Sequence, residues 1–469
     1  MNNNMTTGKT VPVLIKFTIP LLISALCQQF YNLADTIIAG QWLGELGLGA
    51  IGASYSITML FMAVAFGCNA GCSIVIGRLY GAGKYRNIRT AVGTTLISFL
   101  SIALILTVFG SIFSADILKL IKTPQIFFED GQTYLNVYVF GLVFLFLYNA
   151  CNGIFTALGD SKTPLFFLVC SSLMNIGLDL LFVAKFSMGV AGVAWATFIT
   201  QGLASVTCFI CLMKRLRKLK IYAYVTENDL KDDYPLFSFK MLGNIAVVAI
   251  PSVLQQGVIS LGNLLVQGLV NSFGASVAAG FAAAVKLRTF ALACFISASN
   301  AYATFCAQNM GAKRVDRVKS GFLPNLFMIW AITLPFVVLY IFFGDTMINV
   351  FARDLSAEAL KAGVQYLKII APFMLVVGIK ANCDSVLKGS TKMFHFLIST
   401  FSDLVLRVGF AYLLSIPMAE LGIWWAWPIG WVLATAISFV FFVSGLWYKQ
   451  KVPRKKALKR SELSTVVCK

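Results

Sequence analysis

The chain has 469 residues, of which 58% are hydrophobic and only 12% charged, about half the charged share of an ordinary soluble protein. So little polar surface excludes a soluble enzyme, a disordered chain and a fibrous protein, and points to a polytopic membrane protein. The net charge of +19 lies in short clusters between apolar runs, as in loops facing anionic headgroups, and not on a nucleic-acid-binding face.

In chain order, apolar runs fall at 13–42, 47–76, 88–114, 131–157, 163–185, 190–213, 241–272, 276–306, 320–343, 363–387, 393–414 and 421–447. They are long and continuously apolar, without the short alternation of barrel strands, so twelve transmembrane helices are expected. The first run follows Lys9 and Lys16 but contains Pro20, Gln28, Gln29, Asn32 and Asp35. That polar content reads as a retained spanning helix and not a cleaved signal.

The N-terminal segment, the even-numbered loops and the C-terminal tail hold 28 of the 38 basic residues, and the odd loops about six. Arg78, Lys84, Arg86 and Arg89, then Lys214, Arg215, Arg217, Lys218 and Lys220, then Lys313, Arg314, Arg317 and Lys319, then Arg454, Lys455 and Lys456 mark one side. Both termini are therefore expected in the cytoplasm, with the chain in the inner or plasma membrane. The longest loop, 214–240, adds Glu227, Asp229, Asp232 and Asp233 after its basic start and reads as a cytoplasmic linker.

Sliding the sequence by about 230 residues superimposes Ile19-Pro20 on Ile250-Pro251, Asn32 on Asn263, Tyr80-Gly81-Ala82-Gly83-Lys84 on Met310-Gly311-Ala312-Lys313-Arg314, Asn152 on Asn382, Gly159 and Lys162 on Gly389 and Lys392, and Gly192, Trp195 and Ala196 on Gly422, Trp425 and Ala426. An even number of helices per half gives both halves the same orientation. The expected fold is all-α, with twelve helices in two six-helix lobes related by a parallel pseudo-two-fold repeat. The expected division is 1–213 for the N-terminal lobe, 214–240 for the linker, 241–447 for the C-terminal lobe and 448–469 for a basic cytoplasmic tail.

Ionisable residues inside spans are expensive and need a reason. The N-terminal half has two deep acids, Asp35 in the first run and Asp179 in the fifth. Asn175 lies one turn below Asp179 on the same face, and Thr197 lies in the sixth run at similar depth. Two carboxylates, an amide oxygen and a hydroxyl suit a hard cation such as Na+, and the two acids equally suit a proton, titrating in coupled steps. The plainer reading is a polar cluster that holds helices together. Pro20 removes a backbone hydrogen bond and is a candidate hinge below Asp35, or a static kink. In the C-terminal half, Lys380–Asp384 and Asp403–Arg407 are spaced for intrahelical ion pairs, which leaves Lys286 and Arg288 of the eighth run as the unpaired charges.

Ten of the 11 cysteines lie in or beside apolar runs and read as packing residues, including the Cys208-x-x-Cys211 pair; the last, Cys468, lies in the basic tail. With His395 the only histidine, no His/Cys metal cluster is expected. Gly81-x-Gly83 and Gly311 lack phosphate-loop spacing and read as tight turns.

Pro20 followed fifteen residues later by Asp35, the glycine-rich loops after the second and eighth runs, Gln308-Asn309-Met310-Gly311-Ala312, and Asn175-x-x-x-Asp179 followed by Thr197 together resemble the multidrug and toxic-compound extrusion (MATE) family, over essentially the whole chain. The resemblance implies a V-shaped, two-lobed antiporter, not an enzyme, that exports small organic compounds against inward Na+ or H+. It implies cation binding by Asp35, Asn175, Asp179 and Thr197, the Na+ ligands if Na+ is the coupling ion. It also places Tyr134, Asn152, Lys286 and Arg288 at cavity positions. No cofactor beyond the coupling ion is expected, and the partners are organic substrates and membrane lipid, with a monomeric chain. The alternative is a lipid-linked precursor flippase of the same superfamily, for which Lys286 and Arg288 would receive pyrophosphate.

Overall fold

Apolar segments without water must satisfy their own backbone groups, and helices do this within one segment. The computed structural model describes residues 4–121, 123–219, 235–351 and 355–448, and these fold almost wholly into helices. The acidic part of the expected linker (Glu227, Asp229, Asp232, Asp233), Lys220, and the tail with Arg454, Lys455, Lys456 and Cys468 lie outside the described residues.

Helix α1 (Thr10–Gly81) contains the first two spans, Thr10–Gly44 and Ile57–Gly81. It is broken at Gly44, whose φ of 65° and ψ of −163° suit only glycine. Then come α2 (Tyr85–Leu120), α3 (Gln125–Phe140), α4 (Leu142–Ala157), α5 (Lys162–Asp179) and α6 (Gly189–Lys218). The second half has α7 (Phe239–Asn271), α8 (Ala275–Gly311), α9 (Val315–Phe342), a short α10 (Gly344–Phe351), α11 (Ala357–Ile370), α12 (Met374–Gly389), α13 (Met393–Met418) and α14 (Glu420–Val443).

Among the described residues ten helices are long and apolar enough to cross a membrane, and twelve spans result when two bent pairs are each counted as one. The fourth and tenth runs, continuous in the sequence reading, are these pairs. α3 and α4 meet at 46° across Gly141, and α11 and α12 at 52° across Ala371-Pro372-Phe373. The breaks fall at matching places in the two halves. At the second break Pro372 lacks the N–H that would continue the helix, while Gly141 at the first keeps helical dihedrals, φ −72° and ψ −12°. Pro20 behaves differently. Among the described residues Gly44 is the one non-helical position inside α1, and the Pro20 carbonyl receives a hydrogen bond from Ser24 Oγ at 2.8 Å.

Within the N lobe, α1 packs on α3, α4 and α5, and α6 closes against α3, α4 and α5. In the C lobe, α8 packs on α9, α11 and α12, and α13 on α14 and α7. The lobes meet through α1 with α7 and α8. They meet most closely at the end that carries the basic loops, called here the basic end. There the repeat-related glycines cross. A Cβ on Gly81 would lie 1.9 Å from the Gln308 carbonyl oxygen, and one on Gly311 would lie 2.0 Å from the Arg78 carbonyl oxygen. The N-terminal segment clamps the same place. Met5 N donates to Gln308 Oε1 at 3.0 Å, and Gln308 Nε2 donates to the Ala157 carbonyl at 2.8 Å. Arg317 donates to the carbonyls of Gly8, Met5 and Thr7 at 2.6, 3.2 and 3.2 Å and to Asn309 Oδ1 at 3.1 Å.

A side chain at either crossing glycine must separate the lobes at the basic end. Gly81→Ala and Gly311→Ala should each move the population away from this arrangement. Double electron–electron resonance between spin labels at Leu46 and Ser272, at the opposite end of the two lobes, should then show shorter distances. An unchanged distribution in both variants would contradict this role.

Candidate functional site

The two deep acids of the N lobe reach one point from different helices. Asp35 comes from α1 and Asp179 from the last residue of α5, where the chain passes into a π-helical turn, Leu180–Lys185. Such turns replace i→i+4 bonding with a wider ring and recur at functional sites. Asp179 and Asn175 are fully buried, while Asp35 and Thr197 are half-buried. The two carboxyls are within hydrogen-bonding reach of each other. A carboxyl–carboxyl hydrogen bond needs one proton between the two groups. With its amide oriented to satisfy both ends, Asn175 donates from Nδ2 to Asp179 Oδ2 at 2.9 Å and accepts from the Thr197 backbone N–H at 3.2 Å. Asp35 Oδ1 and Asp179 Oδ1 are buried and receive no donor among the described residues.

The four residues singled out in the sequence therefore meet, and two tyrosines join them. Tyr134 of α3 lies beside both acids and stacks on Tyr138, with ring centroids 6.3 Å apart. Tyr31, which the sequence reading did not select, sits one turn before Asp35 and lies beside both acids, Tyr134 and Thr197. The i, i+4 spacing of Tyr31 and Asp35 was the available signal. Asn152 is elsewhere, on α4 toward the basic end, accepting from Thr156 Oγ1 at 3.3 Å.

The basic residues of α8 part company. Lys286 is exposed, while Arg288 is 3% exposed and turned into the C lobe, where Nη1 donates to the Tyr366 hydroxyl at 2.5 Å. Phe290, one turn along from Lys286, meets Phe30 of α1 at 5.8 Å between ring centroids. Lys286 thus shares the α8 face that looks toward the N lobe.

Lys380 and Asp384 form the expected pair at 2.7 Å, both side chains largely buried, and Asp384 also accepts from Ser438 Oγ at 2.8 Å. The expected Asp403–Arg407 pair is not formed. Asp403 Oδ1, Arg407 Nε and Arg407 Nη2 are all buried without a hydrogen-bond partner among the described residues. Correct spacing permits a contact, but the packing of α13 against α7 and α14 sets where each side chain points.

Twelve spans in two lobes, counted among the described residues with each bent pair as one, define a polytopic membrane protein. The MatE family model matches twice, at 20–181 and at 251–413, and the chain belongs to the MatE family. It is 26% identical over 445 residues to the probable multidrug resistance protein YoeA of Bacillus subtilis (strain 168), covering 93% of this chain and 94% of that protein. It is 24% identical to the FAD transporter of Shewanella oneidensis, covering 91% of each. Among solved structures, a transporter of the MOP superfamily from Pyrococcus furiosus, described by the reverse polarity of its binding pocket, superimposes with a TM-score of 0.87 at 23% identity, covering 96% of this chain and 99% of that one.

Two outcomes follow from this geometry. Tyr31→Phe removes a buried hydroxyl beside Thr197 and both acids and should destabilise the protein by about 1 kcal/mol. Asp384→Asn leaves Lys380 buried without its partner and should destabilise the protein by about 3 kcal/mol or more. The combined Lys380→Met, Asp384→Leu variant should recover most of that loss, read as thermal unfolding midpoints in detergent.

Proposed function

We propose that this chain exports small organic compounds in exchange for Na+ or H+ bound in the N lobe by Asp35, Asn175, Asp179 and Thr197, with Tyr31 beside Thr197. The observation that carries this is the pair of adjacent carboxyls in an apolar bundle, each with a buried oxygen that lacks a donor among the described residues. Neutral side chains would hold helices together at lower cost, so two acids at one point favour a cation or proton as their partner. Relatives named as multidrug resistance proteins support organic compounds as the exported class. The lipid-linked flippase reading is not favoured by these relatives.

In this reading the basic end faces the cytoplasm of the plasma membrane, with both termini on that side. The lobes, 1–213 and 241–447, rock as bodies about the α1–α7–α8 contact, in a chain that works as a monomer. Asp35 lies about 13 Å of helix from the Gly44 end of α1, so the cation enters from the end opposite the crossing glycines. The exposed Lys286, on the α8 face toward the N lobe, would border the path of the substrate, with Tyr134 beside the acids.

The test uses purified protein in vesicles loaded with a fluorescent organic cation, with a Na+ or a proton gradient imposed separately. One gradient should drive uphill efflux, and Asp35→Asn and Asp179→Asn should each abolish it while gel-filtration behaviour stays that of the unmodified protein. Uphill efflux at unmodified rates in either variant would remove the acids from the coupling site.

A further inference from the structure

Each lobe holds a buried cluster with polar atoms that lack partners among the described residues. At the N-lobe site they are carboxylate oxygens, which accept. In the C lobe one cluster contributes donors: Arg288 Nε, Arg407 Nε and Nη2, Trp424 Nε1 and Trp427 Nε1. Unpaired buried polar groups are uncommon, and each calls for a partner.

Four helices build this cluster. Arg288 comes from α8, Tyr366 from α11, Arg407 from α13, and Trp424 and Trp427 from α14. The Arg288 guanidinium carbon lies 3.9 Å from the centroid of the Trp427 ring, and that of Arg407 lies 4.3 Å from the centroid of the same ring. Trp424 stacks on Phe281 with centroids 5.1 Å apart and meets Tyr366 edge-on at 5.2 Å. Trp427 stands at the repeat position of Thr197, in the register fixed by Gly192 with Gly422 and Trp195 with Trp425. The cluster thus shares one repeat position with the carboxyl site, but its charged groups are arginines.

The charges do not balance within the lobe. Guanidinium keeps its proton under all ordinary conditions, so neither arginine can escape burial by becoming neutral. Among the described residues neither makes an ion pair within 4.0 Å. Asp384 is engaged by Lys380 and Ser438. Asp403, one turn before Arg407, makes no hydrogen bond to it but acts on it through space, which leaves one of the two positive charges unanswered. The Tyr366 hydroxyl and the Trp427 ring face soften the cost but carry no net negative charge. Two buried guanidiniums beside two indole N–H groups call for an anion.

Burial limits its size. Arg288 and Arg407 are 3% exposed, Trp427 2%, and Trp424 and Tyr366 0%. An organic anion carries a body that residues so buried cannot admit, and with Asp403 beside Arg407 one net positive charge remains, which a monovalent ion balances and a divalent oxyanion would overcompensate. Gly262 of α7 makes the room for Arg407, since a Cβ there would lie 2.5 Å from Nη2.

We propose that the C lobe binds a single chloride ion between Arg288 and Arg407, against Trp427. The ion ties α8, α13 and α14 together, and α11 through Tyr366. It is a fixed ion of the lobe, separate from the exported compound and from the coupling cation of the N lobe.

The test starts with full-length protein purified in sodium gluconate, whose anion is too large for the enclosure. Titration with sodium chloride or sodium bromide should raise the thermal unfolding midpoint in a saturable way. Bromide-soaked crystals should show one anomalous peak in contact with both guanidiniums. Arg407→Gln should weaken the halide response by about tenfold or more, through loss of a charge-assisted contact. Gly262→Ala keeps every charge but crowds Nη2, and should weaken the response in the same direction. A bromide map of the unmodified protein with no peak at the cluster, or with Asp403 turned onto Arg407 in its place, overturns the proposal. So does a halide response unchanged by Arg407→Gln. Because the bromide map needs no substitution, the proposal stays testable even if the variants do not fold.

Discussion

Charge inside an apolar bundle is the constraint around which this protein is organised. Each ionisable side chain within the spans costs several kcal/mol unless something answers it. The N lobe gathers its two carboxyls at one point, with Asn175, Thr197 and Tyr31 supplying polar contacts around them. The C lobe answers one of its charges internally, through Lys380 and Asp384, and sets Arg288 and Arg407 on a shared aromatic wall. Two halves with one architecture thus hold interiors of opposite sign. A duplicated backbone imposes the same helix positions, while single substitutions at repeat-related sites, such as Thr197 against Trp427, change what each interior can hold.

The second organising feature is the closure of the basic end. Gly81 and Gly311 let backbone approach backbone across the lobes, and Arg317 with Gln308 and Asn309 fastens the N-terminal segment over the seam. Helix α1 runs through both features. It carries Asp35 in its first span, the break at Gly44 and Gly81 at the crossing, so one helix is a continuous route from the acids to the seam. Pro20 sits buried near the start of that route.

Much of the fold was legible in the sequence because a membrane reads composition directly. Runs of about twenty apolar residues insert as helices whatever their neighbours do. Charged loops set a common side, and the 230-residue repeat gave the two lobes. The bends within the fourth and tenth spans were not read, although Gly141 and Pro372 stood at them, because each run stays apolar through its break. The meeting of Asp35, Asn175, Asp179 and Thr197 followed from counting depth along helices of alternating direction. Depth cannot show which way a helix is turned about its axis. Hence Tyr31 was passed over, and Lys286 and Arg288 could not be told apart.

The sequence by itself determined what enters the membrane, how many times, and at what depth each charge must lie, since these depend on composition and on the rise of a helix. The tertiary structure alone decided partners. It put Tyr31 beside Thr197, turned Arg288 inward and Lys286 outward, joined Lys380 to Asp384, and left Asp403 and Arg407 without a hydrogen bond despite identical spacing. The reason is that a side chain's contacts depend on helix rotation and rotamer, and both are fixed by packing against helices distant in sequence.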